Sequence, residues 1–206
     1  LTFEDIDKTK REDMDIRLRA ETDALTGLLN RVVFAERMDS TLADKDSRAL
    51  NALMVIDIDN FKALNDNYGH IIGDKVLIDV AKSLQDVFRA GDLVGRLGGD
   101  EFIVFLCNMP DRSVIAAKTE QFFAELSDPG TYLEKLSKNE SASDSAALAL
   151  VASNGIALSA SIGIATAPAD GNSFEELYPK ADIALYDAKR NGKGCIAFYT
   201  SDRNRR

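Results

Sequence analysis

The apolar positions of this chain alternate between strand-length runs and helical stripes. Leu53 to Asp59, LMVIDID, is an apolar run of strand length ending in Asp57 and Asp59, two residues apart and so on one face of a strand. Asp92 to Leu106, DLVGRLGGDEFIVFL, sets Leu93, Val94 and Leu97 before Gly98-Gly99, and Phe102, Ile103, Val104 and Phe105 after it. Two glycines between such runs predict a tight hairpin, because the primed turns need φ > 0 and glycine reaches it without a Cβ clash. Ile156 to Ala165 reads as a central strand whose small residues suit a closely packed helix, and Cys195 to Thr200 reads as an edge strand.

Stripes of helical period lie between these runs. One runs from about Arg31 to Ala43, with Val33, Phe34, Met38 and Leu42 on one side. A second, Asp74 to Arg89, turns Val76, Leu77, Val80, Leu84, Val87 and Phe88 inward. A third, Asp111 to Leu126, has Asp111 or Ser113 as its N-cap. The last, Ser173 to Arg190, is capped by Ser173, with Glu175 and Glu176 in its first turn and Lys189 and Arg190 in its last. A short helical turn is expected after Asn60-Phe61-Lys62, and Thr22-Asp23 offers an N-cap ahead of Leu25, Leu28 and Leu29.

Two segments fit this alternation poorly. Residues 1–22 are charge-rich and free of Gly and Pro, and read as an N-terminal linker or signalling helix with a poor heptad pattern. Residues 127–155, with Asp128-Pro129-Gly130 and SKNESASDSAA, are small, polar and low in complexity, an insertion expected to be helical around Ala146 to Val151.

With 206 residues, 45% of them hydrophobic and 29% charged, the chain fits one domain with a sizeable core. Its net charge of −9 argues against general binding to nucleic acid or to anionic membranes. An acidic chain that binds a nucleotide must do so through metal ions and a few local cations. Cys107 and Cys195 stand singly, which suits a reduced, cytoplasmic setting. No apolar run approaches the roughly 20 residues needed to span a bilayer. The chain opens on Leu1 rather than Met, and a piece of a longer, membrane-anchored or sensor-linked protein is expected.

The candidate chemistry lies where acids meet the strands. Asp100 and Glu101 follow the glycine turn and would point to opposite faces if the strand has already begun. Alone, they equally suit a solvated turn. If the strand ending in Asp57 lies beside this hairpin, carboxylates gather there and raise one another's pKa unless a cation compensates them. Mg²⁺ typically takes one or two carboxylates together with substrate phosphates, so a phosphoryl or nucleotidyl transfer site follows from that pairing.

At this point DALTGLLNR, VIDIDNFKALNDNYGHIIGD, RLGGDEF and YDAKRNGKG resemble the four signature blocks of the GGDEF family, the diguanylate cyclases, in the family's order and with compatible spacing from Asp23 to Tyr199. The resemblance implies a GGDEF catalytic domain over 23–201. Its fold would be α/β (α+β), a three-layer domain with a mainly antiparallel central sheet flanked by helices, similar to the nucleotidyl cyclases. It implies condensation of two GTP into cyclic di-GMP with release of two pyrophosphates, at an interface between two copies of the domain. No nucleic acid and no direct membrane contact are implied. The alternative is a catalytically silent module that binds GTP or cyclic di-GMP and regulates a neighbouring domain.

Residue by residue, the resemblance makes Asp57 and Asp100 metal carboxylates, with the backbone carbonyl of Ile58 as a further ligand, for Mg²⁺ or Mn²⁺, two per GTP. Glu101 is either a metal ligand or a group near the attacking hydroxyl. Asn60, Phe61 and Lys62 would meet the β- and γ-phosphates, and Lys189 and Lys193 would add cations. Lys193-Gly194 departs from the commoner Arg-Asn, and lysine keeps the charge while losing the planar fork. Asn65 and Asp74 match the guanine readers; equally, Asn65 could hold a turn and Asp74 cap a helix. A carboxylate can accept from guanine N1–H and N2–H₂ together, which favours GTP over ATP. Arg89 and Asp92 match an inhibitory site for the product, against the alternative of a surface ion pair worth little. His70, the single histidine, reads as structural.

Overall fold

The structure, a computed structural model, describes residues 21–43, 49–127 and 158–201. The helix expected over 1–22 and the insertion expected over 127–155 lie outside these residues but for Glu21, Thr22 and Ser127. Among the described residues one six-stranded sheet forms, in the order β1 (Leu29–Asn30), β3 (Leu93–Gly98), β4 (Glu101–Met109), β2 (Leu50–Ile58), β5 (Ala160–Ala167) and β6 (Ile196–Phe198). The pairings β3–β4, β4–β2 and β2–β5 are antiparallel, while the short edge strands β1 and β6 join in parallel. The sheet is therefore mainly antiparallel, as expected.

Helices cover both faces, and the alternation within the strands decides which. Leu53 and Val55 of β2, with Ile103 and Phe105 of β4, pack on Phe34 and Met38 of α1 (Arg31–Ala43) and on Leu177, Ala181 and Leu185 of α5 (Phe174–Arg190). The intervening Met54, Ile56, Phe102 and Val104 pack on the other layer. That layer is α2 (Phe61–Tyr68), α3 (His70–Val87) and α4 (Arg112–Ser127), which contribute Leu64, Val80 and Phe122 among others. Fully burying one such side chain contributes about 1.5–3 kcal/mol. A one-residue slip of β2 would put Asp57 into the α2–α4 core, so the register is firmly set.

One close approach fixes α5 over the sheet. A Cβ on Gly163 would lie 2.0 Å from the Ala181 carbonyl oxygen and 2.1 Å from the Leu185 nitrogen. Gly163 pairs with Val55, and Asp57 lies two residues further along β2, opposite Ser161. Four residues of helix and two of strand both advance about 6 Å. Lys189, four residues after Leu185, is thereby carried to Asp57.

Two expectations are corrected. The second long helix begins at His70, not Asp74. Gly69, at φ +84, serves at once as the end of α2 and the start of α3, leaving no linker between them. Asp23 caps no helix. Its Oδ1 accepts from the Thr26 N–H at 2.9 Å and the Thr26 hydroxyl at 2.7 Å, closing a turn. The cap of α1 is Asn30, whose Oδ1 accepts from the N–H groups of Val32 and Val33, each at 3.1 Å.

Candidate active site

The β3–β4 hairpin is tight, as the two glycines predict. Gly98 pairs with Glu101, leaving Gly99 and Asp100 as a two-residue loop, and Gly99 takes φ +56. Asp100 therefore sits in the turn and β4 starts at Glu101, so strand alternation does not relate the two acids. Arg96 holds the loop from below: its Nη2 and Nε donate to the Gly99 carbonyl at 2.7 and 3.2 Å, and its Nη1 meets Asp23 Oδ1 at 2.9 Å. Burial would raise the Asp23 carboxyl, but hydrogen bonds from Thr26 and Arg96, and the arginine's charge, bring it below the usual value. Neither Arg96 nor Asp23 carries a sequence signal for this clamp, because 73 positions separate them.

Antiparallel pairing sets Glu101 directly opposite Asp57. The Ile58 N–H donates to the Asp100 carbonyl at 3.3 Å, tying the turn to the end of β2. Acids from β2, the hairpin turn and the start of β4 thus meet at one end of the sheet, with Lys189 Nζ 2.7 Å from Asp57 Oδ2. The Asp57 carboxyl is raised above its ordinary value, first by burial and then by the charges of Asp100 and Asp59, against the pull of Lys189. Glu101 is raised in the same direction by burial, then by Asp57 and Asp100. The carboxylates outweigh the one lysine among them, which suits a site completed by a cation. Among the described residues no three His, Cys, Asp or Glu side chains form a ready-made metal cage.

Further partners reach Glu101 from α5. Asp182 adds to the negative field there, and burial, then Glu101, raise the Tyr178 hydroxyl. The Tyr178 ring stacks on Phe174 with centroids 5.3 Å apart, and the Arg31 guanidinium lies 4.8 Å from its centroid. Sequence reading missed this group, since helical period assigns Tyr178 only to a face of α5.

The phosphate candidates gather beside the acids. Asn60, at φ +59, precedes α2 without giving it a side-chain cap, and its Oδ1 accepts from Lys193 Nζ at 2.8 Å. Phe61 is partly buried against the core, and Lys62 is exposed. Asn65 faces Gly73, where a Cβ would lie 1.9 Å from its Oδ1. That oxygen is buried and has no hydrogen-bond partner among the described residues, an unmet acceptor that a ligand N–H would satisfy. Asp74 follows on the exposed side of α3, and His70 is exposed at its start.

Arg89 and Asp92 lie at the other end of β3, about 20 Å from the hairpin by strand rise. The Asp92 side chain is 0% exposed and that of Arg89 is 55% exposed. Asp92 accepts from the Cys107 N–H at 3.2 Å and the Arg89 N–H at 3.3 Å, and Lys118 Nζ lies 3.7 Å away. Arg89 Nε is 3.5 Å from Asp92, and its Nη2 donates to the Cys107 carbonyl. Half of the pair is thus exposed and half is built into the fold. No helix among the described residues is long and apolar enough to cross a membrane.

Known proteins resemble this chain in sequence and in fold. The bifunctional diguanylate cyclase/cyclic di-GMP phosphodiesterase MucR of Pseudomonas aeruginosa is 38% identical over 184 residues, 88% of this chain and 24% of MucR. The cyclic di-GMP phosphodiesterase PdeR of Escherichia coli is 30% identical over 202 residues, 98% of this chain and 27% of PdeR. The chain thus spans about a quarter of the length of these relatives. The coiled coil and GGDEF domain of DgcB from Caulobacter crescentus, solved with c-di-GMP, superposes with a TM-score of 0.74 at 28% identity, covering 94% of this chain and 93% of that one. The family profile described as "Diguanylate cyclase, GGDEF domain" matches residues 20–135 and 139–195, and the chain belongs to that family of nucleotidyltransferases.

Proposed function

We propose that this domain condenses two GTP molecules into cyclic di-GMP, two copies of the chain facing each other with one GTP each. The observation that carries the reading is the convergence of Asp57, Asp100 and Glu101 at one end of β2 and β4, with Lys189 bonded to Asp57. Asp57, Asp100 and the Ile58 carbonyl would hold Mg²⁺ or Mn²⁺, two ions per GTP, the rest of each shell coming from water and phosphate. Bound there, the metal supplies charge neutralisation and Lewis acidity at the phosphates.

The chain's own groups supply alignment. Asn65 and Asp74 are assigned to the guanine edge, Asn65 offering its unpaired Oδ1 and Asp74 an exposed carboxylate. The backbone N–H groups at the start of α2, with Lys62, Lys189 and Lys193, are assigned to the β- and γ-phosphates. A 3′-oxygen forms a bond to the partner's α-phosphorus as the bond from that phosphorus to the pyrophosphate oxygen breaks. Glu101, opposite Asp57 in the register, is assigned either to the metal or to the attacking hydroxyl, whose proton leaves as the new bond forms. Positioning of this kind is worth several kcal/mol of barrier, about a factor of ten for each 1.4.

For the product, Arg89 presents its exposed guanidinium to a guanine edge or phosphate, and the buried Asp92 holds it in place. A second reading, a silent regulatory module that binds GTP or cyclic di-GMP, is favoured by Lys193 standing in place of an arginine and by the likeness to PdeR. Incubation with GTP and Mg²⁺, with the products resolved by chromatography, decides between them. Pyrophosphate and cyclic di-GMP that disappear in Asp100→Ala are expected. Tight GTP binding without turnover would establish the silent module.

A further inference from the structure

Asp59 is a buried carboxylate with no task in the reaction above. It lies one residue beyond β2 and is 7% exposed. Its Oδ2 accepts from the Ser159 hydroxyl at 2.8 Å and the Gly194 N–H at 2.9 Å, and its Oδ1 from the Ser161 hydroxyl at 2.7 Å. Its own N–H donates to the Ser159 carbonyl at 2.8 Å. A carboxylate offers about four acceptor sites, so three donors leave Asp59 little capacity to serve as a metal ligand beside Asp57.

The donors identify what Asp59 holds. Two belong to the start of β5 and one to the loop after α5. On that loop Lys193 stands at φ +65 beside Gly194 at φ +58, with the Lys193 N–H bonded to the Ala188 carbonyl at 3.2 Å. Lys193 Nζ donates to Asn60 Oδ1, and Asn60 directly follows Asp59 in the chain. Two adjacent residues of one turn thus grip two adjacent residues of the other. Left-handed backbone suits Asn60, but at Lys193 it persists only where its surroundings over-determine it. A lysine gains most from such a mount, because its ammonium is a point charge on a flexible stem with no planar fork to orient it.

We propose that Asp59 is the positioning residue of triphosphate recognition: it fastens the Lys193–Gly194 turn to the Asn60 turn, so that the β- and γ-phosphates meet a cation already in place. The proposal rests on Lys193 being a phosphate-binding group. It deepens that assignment by locating the preorganisation in a carboxylate that touches no substrate.

Calorimetric titration with α,β-methylene GTP and, separately, with GMP, both in Mg²⁺, tests it on wild type, Asp59→Ala, Asp59→Asn, Lys193→Ala and the double variant Asp59→Ala/Lys193→Ala. Asp59→Ala is expected to weaken the triphosphate analogue about tenfold while leaving GMP unchanged. Asp59→Asn should recover most of that loss, since an amide can turn its oxygen to Gly194 and Ser159 and its NH₂ to the Ser161 hydroxyl. Asp59→Ala should add little once Lys193 is alanine. Equal weakening of GMP and analogue, additive losses, or wild-type binding by Asp59→Ala would overturn the positioning role. Wild-type binding by Lys193→Ala would instead remove the phosphate assignment on which the proposal stands. Should Asp59→Ala not fold, Asp59→Ser, too short to reach Gly194, is read by the same criteria.

Discussion

The two ends of the β3–β4 ribbon carry the same kinds of side chain in opposite conditions. At the hairpin, Asp57, Asp100 and Glu101 crowd together with Lys189 bonded to Asp57, and burial together with mutual repulsion pushes Asp57 and Glu101 up. At the far end, Asp92 is more deeply buried than Asp57, at 0% against 13% exposure of the side chain, yet two backbone N–H groups, Arg89 and Lys118 surround it. Burial alone therefore does not tell the two kinds of acid environment apart. The balance of donors does: Asp92 is saturated by the fold, whereas the hairpin acids are left wanting a cation. Asp59 repeats the lesson two residues from Asp57, its carboxylate filled by Ser159, Ser161 and Gly194.

The largest expected contrast comes from truncating an acid at each end. Asp92→Ala strands the Cys107 and Arg89 N–H groups and should cost about 2–4 kcal/mol in denaturant melts. Asp57→Ala should cost under about 1 kcal/mol, because its ion pair with Lys189 is partly solvated and its loss relieves like-charge repulsion. Turnover should invert the order, lost in Asp57→Ala and retained in whatever fraction of Asp92→Ala stays folded. Equal stability losses in the two variants would remove the distinction.

A smaller effect is expected in the pH dependence of the metal-free chain. The raised Asp57 and Glu101 carboxyls bind protons in the folded state that the unfolded chain has already released. Their contribution to stability therefore falls as pH climbs from the ordinary carboxylate range through their raised values, and is level above them. Asp23, lowered, acts in the opposite sense: its contribution is present above the ordinary range and is lost as pH falls through its folded value. Melting Asp57→Asn and Glu101→Gln across this range should show a shallower decline than wild type; an unchanged slope would place the titration elsewhere. The smallest effect on basal turnover is expected for Arg89→Ala, which should leave initial rates within about twofold and relieve inhibition by added cyclic di-GMP. An unchanged inhibition curve removes Arg89 from the product site.

The legible part of the molecule was whatever local chemistry dictates. The apolar run into Asp57 gave β2, Gly98-Gly99 gave the hairpin, and Ser173 gave the start of α5, where it accepts from the Glu176 N–H at 3.2 Å. The small residues of β5 foretold a close helix, realised at Gly163. The start of α3 was hidden because Ile71, in its first turn, is 76% exposed and adds nothing to the inward stripe. Asp23 misled because a carboxylate before an apolar cluster can close a turn as readily as cap a helix. The Arg96 clamp and the Asp59 pin could not be read at all, since their partners come from 73 to 135 positions away and only the assembled sheet brings them within reach.

The direct test of the cation-seeking hairpin is anomalous scattering from crystals grown with Mn²⁺ and a non-reactive α,β-methylene GTP. Manganese peaks bonded to Asp57, the Ile58 carbonyl and Asp100, and shared with the triphosphate, are the expected result. A triphosphate seated against Asn60, Lys62 and Lys193 with no metal at those acids would contradict it.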